Sequence, residues 1–284
     1  MSVEPSTLNL QPSTLIFQPS TLNSMKNIFF IFVLFSLASC EKEITIDLKE
    51  AGTRLVIEGN ISNEQGAQTI KMSKTVGFSA PNQYPAVTTA SVTVSDGAGW
   101  SENLLQTSPG IYQTLPMTGQ VGKTYKLTIV YEGKTYTASS TMPPVVPLDG
   151  LRIEENIFNA PNQEKTFYVV PLFNDPIVFG NCYRFIQSLN NKKDGEYIIF
   201  NDNVSNGIPN ERAIFSQNLE IKKGNELIVE MRCIDKPIHD YFFALSQLTD
   251  GGGTTPANPL SNISGGALGY FSAYSVQKKT VVIP

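Results

Sequence analysis

Histidine-based catalysis and histidine-rich metal sites are not expected in this chain, because its 284 residues include a single histidine, His239. A Ser-His-Asp triad or a multi-histidine zinc site normally needs several convergent groups. His239 stands beside Asp240, early in a predicted helix, where a packed or surface histidine is the more common role. We therefore expect no catalytic residues, no metal site and no cofactor.

Residues 201–207 are rich in side-chain oxygens at alternating positions, which is a pattern that calcium-binding loops use. Such a loop also needs a glycine at its sixth position and a glutamate at its twelfth. Asn206 and Arg212 occupy those two positions here. The segment therefore favours a polar hairpin loop over a calcium site.

Cys40 is the cysteine whose neighbouring residues predict a covalent modification. It follows a Leu-Ala-Ser tripeptide, which follows an apolar run at 28–35 and a basic residue, Lys26. A positively charged n-region, a short apolar h-region and small residues at the cleavage site define a secretory signal peptide. A cysteine directly after Leu-Ala-Ser resembles a bacterial lipobox, in which the thiol is acylated and becomes the first mature residue. We therefore expect a lipoprotein signal peptide at 25–39 and lipidation of Cys40.

Residues 1–24 contain three copies of Pro-Ser-Thr-Leu at heptad spacing, and the prolines exclude a coiled coil. They are either a Pro/Ser/Thr-rich extension or a translated DNA repeat upstream of the true start. The second interpretation is favoured, because Met25 directly precedes the lysine with which the signal peptide should begin. Residues 40–53 then form a tether, which reaches roughly 40 Å when extended at about 3.3 Å per residue.

The two remaining cysteines, Cys182 and Cys233, each lie in a strand-like segment. In an oxidising compartment they could form one disulfide. The alternative is two separate buried thiols, which pack like small apolar side chains. The sequence leaves both interpretations open, because it does not give the distance between the two Cα atoms.

The composition is typical of a folded domain, with 41% hydrophobic and 16% charged residues. The formal net charge of −4 and the lack of a Lys/Arg block argue against a nucleic-acid partner.

Residues 54–142 predict an N-terminal β-sandwich that is Ig-like or transthyretin-like. The clearest element is a hairpin whose strands, 124–131 and 134–139, flank Glu132-Gly133. Further short strands are predicted at 55–61, 90–95 and 110–114. No helical period interrupts them, which favours a sandwich.

Residues 143–150 are rich in proline, which cannot donate to a sheet ladder, and predict a stiff linker. Residues 151–284 then predict a second β-rich domain. Its expected strands are 166–170, 182–186, 196–200 and 226–230, followed by two closing strands at 267–275 and 279–283. Residues 235–248 have apolar side chains at helical spacing and Asp235 as a candidate N-cap, so they predict one short helix. The predicted fold is mainly β, with two sandwich-like domains.

Trp100 is the one tryptophan, and it follows a glycine-containing turn at 96–99. A sugar-stacking platform there is one interpretation, and core packing is the more common one. The glycine-rich segment at 250–259 predicts a loop. The residues that would bind a ligand stay unknown from the sequence.

The chain resembles a Bacteroidota outer-membrane lipoprotein family known as domain of unknown function 4249. The residues that carry this resemblance are the C-terminal segment 256–271 and the shorter segments 40–43, 55–59 and 110–112. The resemblance covers nearly the whole mature chain. It implies a lipid-anchored protein of the outer membrane, on its periplasmic side or at the cell surface. It also implies proximity to a TonB-dependent receptor.

The expected function is therefore that of a non-catalytic cell-envelope lipoprotein, held at the membrane through Cys40. One hypothesis is an accessory or binding component of a TonB-dependent transporter. The alternative is a stand-alone surface lipoprotein that binds carbohydrate or peptide. A hydrolase would need convergent carboxylates, which the sequence does not show.

Overall fold

The structure, a computed structural model, describes residues 52–77, 80–81, 83–159, 162–249 and 258–284. Cys40 and the predicted signal peptide at 25–39 lie outside the described residues. The extension at 1–24 and nearly all of the tether also lie outside them. Most of the predicted glycine-rich loop does too.

The described chain is mainly β. In chain order its strands are β1 (Leu55–Ser62), β2 (Thr69–Lys74), β3 (Ser91–Ser95), β4 (Ser101–Asn103), β5 (Leu105–Ser108), β6 (Ile111–Gln113), β7 (Thr124–Tyr131), β8 (Lys134–Thr141), β9 (Gly150–Glu155), β10 (Thr166–Leu172), β11 (Cys182–Leu189), β12 (Lys192–Lys193), β13 (Ile198–Asn201), β14 (Ile221–Lys222), β15 (Glu226–Ile234) and β16 (Leu268–Val282). One helix, α1 (Lys236–Thr249), follows β15 in this part of the chain.

One nine-stranded sheet organises the molecule. Its order is β12-β11-β15-β16-β1-β2-β6-β5, and β13 also pairs with β11. Two smaller sheets, β4-β3-β7-β8 and β14-β10-β9, contribute the other strands. All pairings among these strands are antiparallel except that of β1 with β16, which is parallel.

The same face of the large sheet contributes to two hydrophobic cores. Alternation along β1 buries Ile57 and Ile61, and both join a first core with side chains of the four-stranded sheet, such as Leu127. Alternation along β15 buries Val229 and Met231, which join a second core with the three-stranded sheet. The arrangement is therefore sandwich-like on both halves, which confirms the predicted fold class.

The strand β16 belongs to both halves of the large sheet. The sequence predicted two closing strands in the second domain, and this was wrong, since β16 is one strand of 15 residues. Its first part pairs with β1, and its second part pairs with β15. The boundary predicted at 143–150 stays a prediction about folding units, while the described residues from Gly52 onward fall in one compact unit.

The predicted linker packs on β16. Val146 and Leu148 are buried in the second core. The backbone N–H of Leu148 donates to Gln277 Oε1 at 2.7 Å, and Ser275 Oγ donates to the carbonyl of Pro144 at 3.1 Å. Extended, proline-containing backbone is thus fixed by side chains of β16, because it cannot form a complete ladder.

The helix α1 agrees closely with the helix predicted at 235–248. Asp235 is its N-cap, since Asp235 Oδ1 accepts a hydrogen bond from Ile238 N at 3.3 Å. Ile238 and Phe242 pack with Cys182 and Tyr274 on the face of the large sheet that is turned away from the two sandwich cores. No helix in the described ranges is long and apolar enough to cross a bilayer.

Candidate functional site

A basic pocket lies on the helix-bearing face of the large sheet. It has a volume of about 300 Å³. Strands of both halves contribute to it, with Asn60 and Ser62 from β1, Arg184 from β11, and Tyr270 and Tyr274 from β16. Arg232 of β15 and Lys193 of β12 complete its charged wall.

The defining feature of the pocket is a pair of arginines. Arg184 and Arg232 are direct partners in the antiparallel pairing of β11 with β15. Side chains of directly opposed residues lie on the same face of a sheet, and like charges in that relation are destabilising. The fold therefore places both arginine side chains on one partly buried face of the sheet, where an anion would offset their repulsion.

Arg184 is surrounded by aromatic rings. Its guanidinium carbon lies 3.7 Å from the ring centroid of Phe242 and 5.7 Å from that of Tyr197. Burial lowers the pKa of Arg184, and the charge of Arg232 lowers it further. Its Nε has no hydrogen-bond partner among the described residues, and no described carboxylate forms an ion pair with it. A buried Nε–H without a partner needs a hydrogen-bond acceptor that the described residues do not supply, such as a small anion or a bound water.

Arg232 differs from Arg184 because it has an acidic neighbour. It forms an ion pair with Glu230, and its guanidinium carbon lies 4.1 Å from the centroid of Tyr274. The side chains of Arg232 and Glu230 are only 13% and 17% exposed. Lys278 also approaches Glu230, with Nζ 3.6 Å from Oε2. Glu230 thus shares its charge between two cations and offers little neutralisation to Arg184.

Lys193 adds a third cation at the rim. Much of its surface is exposed, and desolvation of its ammonium group together with the charges of Arg232 and Arg184 lowers its pKa. The charge of Glu230 acts in the opposite direction but does not cancel this effect. Arg232 thus lowers the pKa of both Arg184 and Lys193, and such crowding of positive charge favours binding of a negative charge.

Polar groups of β1 and β16 line the other side of the pocket. Asn60 Nδ2 donates to the Tyr270 hydroxyl at 3.3 Å, while Asn60 Oδ1 is buried and has no partner among the described residues. The pocket thus combines a planar, fork-shaped cation with an unpaired carbonyl oxygen and tyrosine rings. This set can hold an anionic group such as a carboxylate, a phosphate or a sulfate beside a hydroxyl donor.

The disulfide considered between Cys182 and Cys233 is not formed, and both thiols are free and buried. Cys182 is paired with Ile234 and Cys233 with Tyr183, so the two cysteines are offset by one residue on adjacent strands. Successive residues of a strand point to opposite faces. Cys182 accordingly packs under α1, and Cys233 packs in the second sandwich core.

His239 is buried at 5% exposure on α1. Its Nδ1 lies 3.0 Å from Asp240 Oδ1 and its Nε2 lies 3.4 Å from Asn201 Nδ2, while its ring stacks on Phe243. The imidazole therefore connects α1 to the end of β13. The structure does not bring His239 into the basic pocket.

The oxygen-rich segment 201–207 is a turn held by a buried carboxylate. Asp202 Oδ2 accepts hydrogen bonds from Gly180 N at 2.6 Å and Asn181 N at 2.8 Å. The aspartate thus fixes a neighbouring loop. Within the described residues, no three His, Cys, Asp or Glu side chains converge as a metal site would require.

Trp100 is partly buried against the first core, not projecting from its turn. Its ring is edge-on to Tyr125, with centroids 6.4 Å apart. It lines a cavity of about 240 Å³ together with an ion pair between Lys123 and Asp96, whose Nζ–Oδ2 distance is 2.7 Å. That hydrogen bond, followed by the one from Ala98 N, lowers the pKa of Asp96 to about 2.

Sequence reasoning did not identify the three cations of the pocket. A signal was available, because Arg184 and Arg232 interrupt strands that are otherwise largely apolar. A charged residue inside such a strand must either pair or reach a solvated cavity. What the sequence could not give was the register that makes the two arginines direct partners.

Comparison with protein families gives one finding. The family model for domain of unknown function 4249 (DUF4249) matches residues 41–280. No curated protein matches the chain significantly. The matched region covers most of β16 and every other strand of the large sheet, so it includes the basic pocket. The chain therefore belongs to the family of domain of unknown function 4249.

Proposed function

We propose that this chain is a non-catalytic lipoprotein of a Bacteroidota outer membrane, anchored through Cys40, and that it serves a TonB-dependent transporter as an accessory or binding component. The lipobox and the signal peptide support the anchor. The resemblance of the chain to an outer-membrane lipoprotein family supports the transporter as its neighbour. The basic pocket supports a binding role, with an anionic group of the cargo as ligand.

The observation that carries the binding role is the direct pairing of Arg184 with Arg232. A fold gains nothing in stability from two opposed guanidinium groups on neighbouring strands. Arg184 is partly buried, has an unpaired Nε and forms no ion pair with a described carboxylate. Such an arrangement costs stability in the free protein and becomes favourable when an anion binds between the two side chains.

A stand-alone surface lipoprotein that binds carbohydrate or peptide is the second candidate. The cavity beside Trp100 favours it, because the partly buried ring of Trp100 lines this cavity next to a charged pair. A neutral sugar ring suits such a surface, since aromatic faces bind apolar sugar faces. The two candidates differ in whether a transporter is needed.

Two measurements test the proposal. The first is crosslinked affinity capture from detergent-solubilised outer membranes, comparing the wild-type chain with Cys40→Ala. Enrichment of one TonB-dependent transporter with the wild type, and its loss with Cys40→Ala, is the expected result. A folded, acylated wild-type chain that captures no transporter would overturn the accessory role and leave the stand-alone role.

The second measurement is titration calorimetry of the full chain with inorganic phosphate, sulfate and glucuronate. Arg184→Gln should weaken the best of these ligands by about tenfold or more, because it removes a charge-assisted hydrogen bond. Lys71→Gln is the matched control, since Lys71 lies on the same face but is 58% exposed and paired with Glu58. Equal affinity of Arg184→Gln and Lys71→Gln for the anion would contradict the assignment of the pocket as an anion-binding site.

A further inference from the structure

The basic pocket is lined by three cations and, among the described residues, by no carboxylate. Arg184, Arg232 and Lys193 form its charged wall, and its other lining residues are uncharged. Apart from Ala67, these uncharged residues carry amides, hydroxyls or phenols, which form hydrogen bonds but do not neutralise a cation. The positive charge of the pocket must therefore be compensated by residues at its border or by a ligand.

Two carboxylates at the border of the pocket compensate part of this charge. Glu230 forms an ion pair with Arg232, and its Oε2 lies 3.6 Å from Lys278 Nζ. Lys278 contributes a positive charge of its own and also pairs with Glu64, at an Nζ–Oε1 distance of 2.8 Å. These two cations and two carboxylates neutralise one another. They leave no negative charge for the other two cations of the pocket.

Arg184 and Lys193 account for two positive charges that remain uncompensated. The ion pairs among the described residues include none with either of them. Burial lowers the pKa of both groups, and the charge of Arg232 lowers both further. Glu230 acts on Lys193 in the opposite direction, but its charge is already shared between Arg232 and Lys278. The excess of positive charge therefore matches the charge of one dianion.

Strand pairing brings the two uncompensated cations to one cavity. Lys193 of β12 is paired with Ser188 of β11, which follows Arg184 by four residues and so lies on the same face of the sheet. Arg184 and Lys193 both line the pocket of about 300 Å³. This volume is at the lower end of the range for small-molecule sites. A single small ligand can therefore contact both groups.

From this balance of charge we infer that the basic pocket selects a dianionic phosphoryl group, from a phosphate monoester or from inorganic phosphate, over a carboxylate or a sulfate ester. This inference rests on the proposed anion-binding role and narrows its ligand. A phosphate monoester carries nearly two negative charges at pH 8, because its second pKa is about 6. A carboxylate and a sulfate ester each carry a single charge. Guanidinium groups also match phosphoryl oxygens in geometry, since they can donate two parallel hydrogen bonds.

Titration calorimetry of the full chain with methyl phosphate and methyl sulfate at pH 8 tests this inference. The two ligands have nearly the same shape and differ by one negative charge. Lys193→Gln removes one of the two uncompensated cations, and Lys192→Gln is its matched control. Both lysines are exposed on β12, and successive residues of a strand point to opposite faces. Both variants therefore lose the same charge, but only Lys193→Gln loses it from the pocket.

We expect methyl phosphate to bind about tenfold or more tightly than methyl sulfate to the wild type and to Lys192→Gln, because one more charge is paired in a partly buried site. Lys193→Gln should reduce this ratio to about threefold or less, since it leaves one uncompensated cation. Equal affinity of the wild type for the two ligands, or the same ratio in both variants, would overturn the inference.

Two further comparisons complete the test. Inorganic phosphate and glucose 6-phosphate distinguish the sources of the group, because tighter binding of glucose 6-phosphate identifies an ester and tighter binding of phosphate identifies the free ion. Either result supports the inference. Glucuronate separates the two levels of the proposal. If it binds and the two methyl esters bind equally, only the preference for a dianion is overturned. If none of these anions binds, the anion-binding role itself is overturned.

Discussion

Asp235 Oδ2 accepts a hydrogen bond from Ser140 Oγ at 2.7 Å, which joins the start of α1 to the end of β8. The same carboxylate oxygen accepts from Thr141 N at 3.1 Å, while Asp235 Oδ1 caps the helix at Ile238 N. Ser140 Oγ in turn accepts from Ala273 N at 2.8 Å. One side-chain pair thus connects the four-stranded sheet, the large sheet and the helix.

Asp235→Ala should lower the free energy of unfolding by about 3 kcal/mol, because it removes a helix cap and leaves the partly buried hydroxyl of Ser140 without its acceptor. Ser140→Ala should cost about 2 kcal/mol, because it leaves the buried N–H of Ala273 without its acceptor and Asp235 Oδ2 without one of its donors. Urea unfolding of both single variants and of the double variant measures the coupling. Additive losses would show that the pair does not act as a unit.

Asp235 should also make stability depend on pH. Burial raises the pKa of its carboxyl above the ordinary value of 3.8, despite the opposing hydrogen bonds. The folded state then holds its proton more tightly than the unfolded state, so this group lowers stability as pH rises from 3.8 through the folded pKa. Asp235→Asn should remove that slope, and a pH series of thermal unfolding compares the two. Parallel curves for wild type and variant would contradict the assignment.

Gly269→Ala should prevent the pairing of β1 with β16. Gly269 has φ of +95°, and an added Cβ would overlap the carbonyl oxygen of Ile57. We expect a loss of more than about 3 kcal/mol or failure to fold. Gly266→Ala is the control, since φ is +82° there but an added Cβ meets nothing within 4 Å. That variant should lose only about 1–2 kcal/mol from backbone strain. Similar losses in both variants would contradict the steric argument.

The two buried cysteines should react slowly in the folded protein. Burial raises the pKa of Cys182 to about 11 and also raises that of Cys233, so little thiolate is present near neutral pH. Mass spectrometry after iodoacetamide treatment should show both thiols unmodified in the native chain. Both should be modified after denaturation without a reductant. Resistance of the denatured chain until reduction would reveal a disulfide and refute the register of β11 on β15.

Lys193 should react with amine reagents at lower pH than Lys278. Desolvation and two neighbouring arginines lower the pKa of Lys193. Burial alone would lower that of Lys278, but its hydrogen bond to Glu64 and the charge of Glu230 raise it. Peptide mapping after acetylation across a pH series measures both sites. Arg232→Gln should shift the Lys193 profile to higher pH, and an unchanged profile would contradict the charge coupling within the pocket.

Local patterns predicted most of the elements but not how they assemble. The β7–β8 hairpin and α1 follow from a tight turn at Glu132-Gly133 and from apolar residues at helical spacing, which are signals within a few residues. The division of the C-terminal segment into two strands was wrong, because Val276 and its neighbours continue the ladder on β15 through a polar stretch. That ladder depends on partners far away in sequence.

The basic pocket was not predicted from the sequence, because it too depends on strand pairings between residues that are far apart in the chain. Its residues come from five strands, β1, β2, β11, β15 and β16, and from Lys193 on β12. Only the register of β11 on β15 brings Arg184 opposite Arg232. A sequence read in order can report each arginine as an unusual charge in a strand, but it carries no local signal for their pairing.

The central position of β16 has a consequence for the order of events during synthesis. Arg54 Nη2 donates to the carbonyl of Gly266, 212 residues further along the chain, where β1 and β16 begin to run side by side. β1 is synthesised early, but it cannot pair with its parallel neighbour β16 until nearly all of the described chain has been synthesised. Contacts of such high sequence separation form slowly. The nascent chain therefore remains without a complete central sheet through most of its translation, and the two halves of that sheet can join only after β16 has been synthesised.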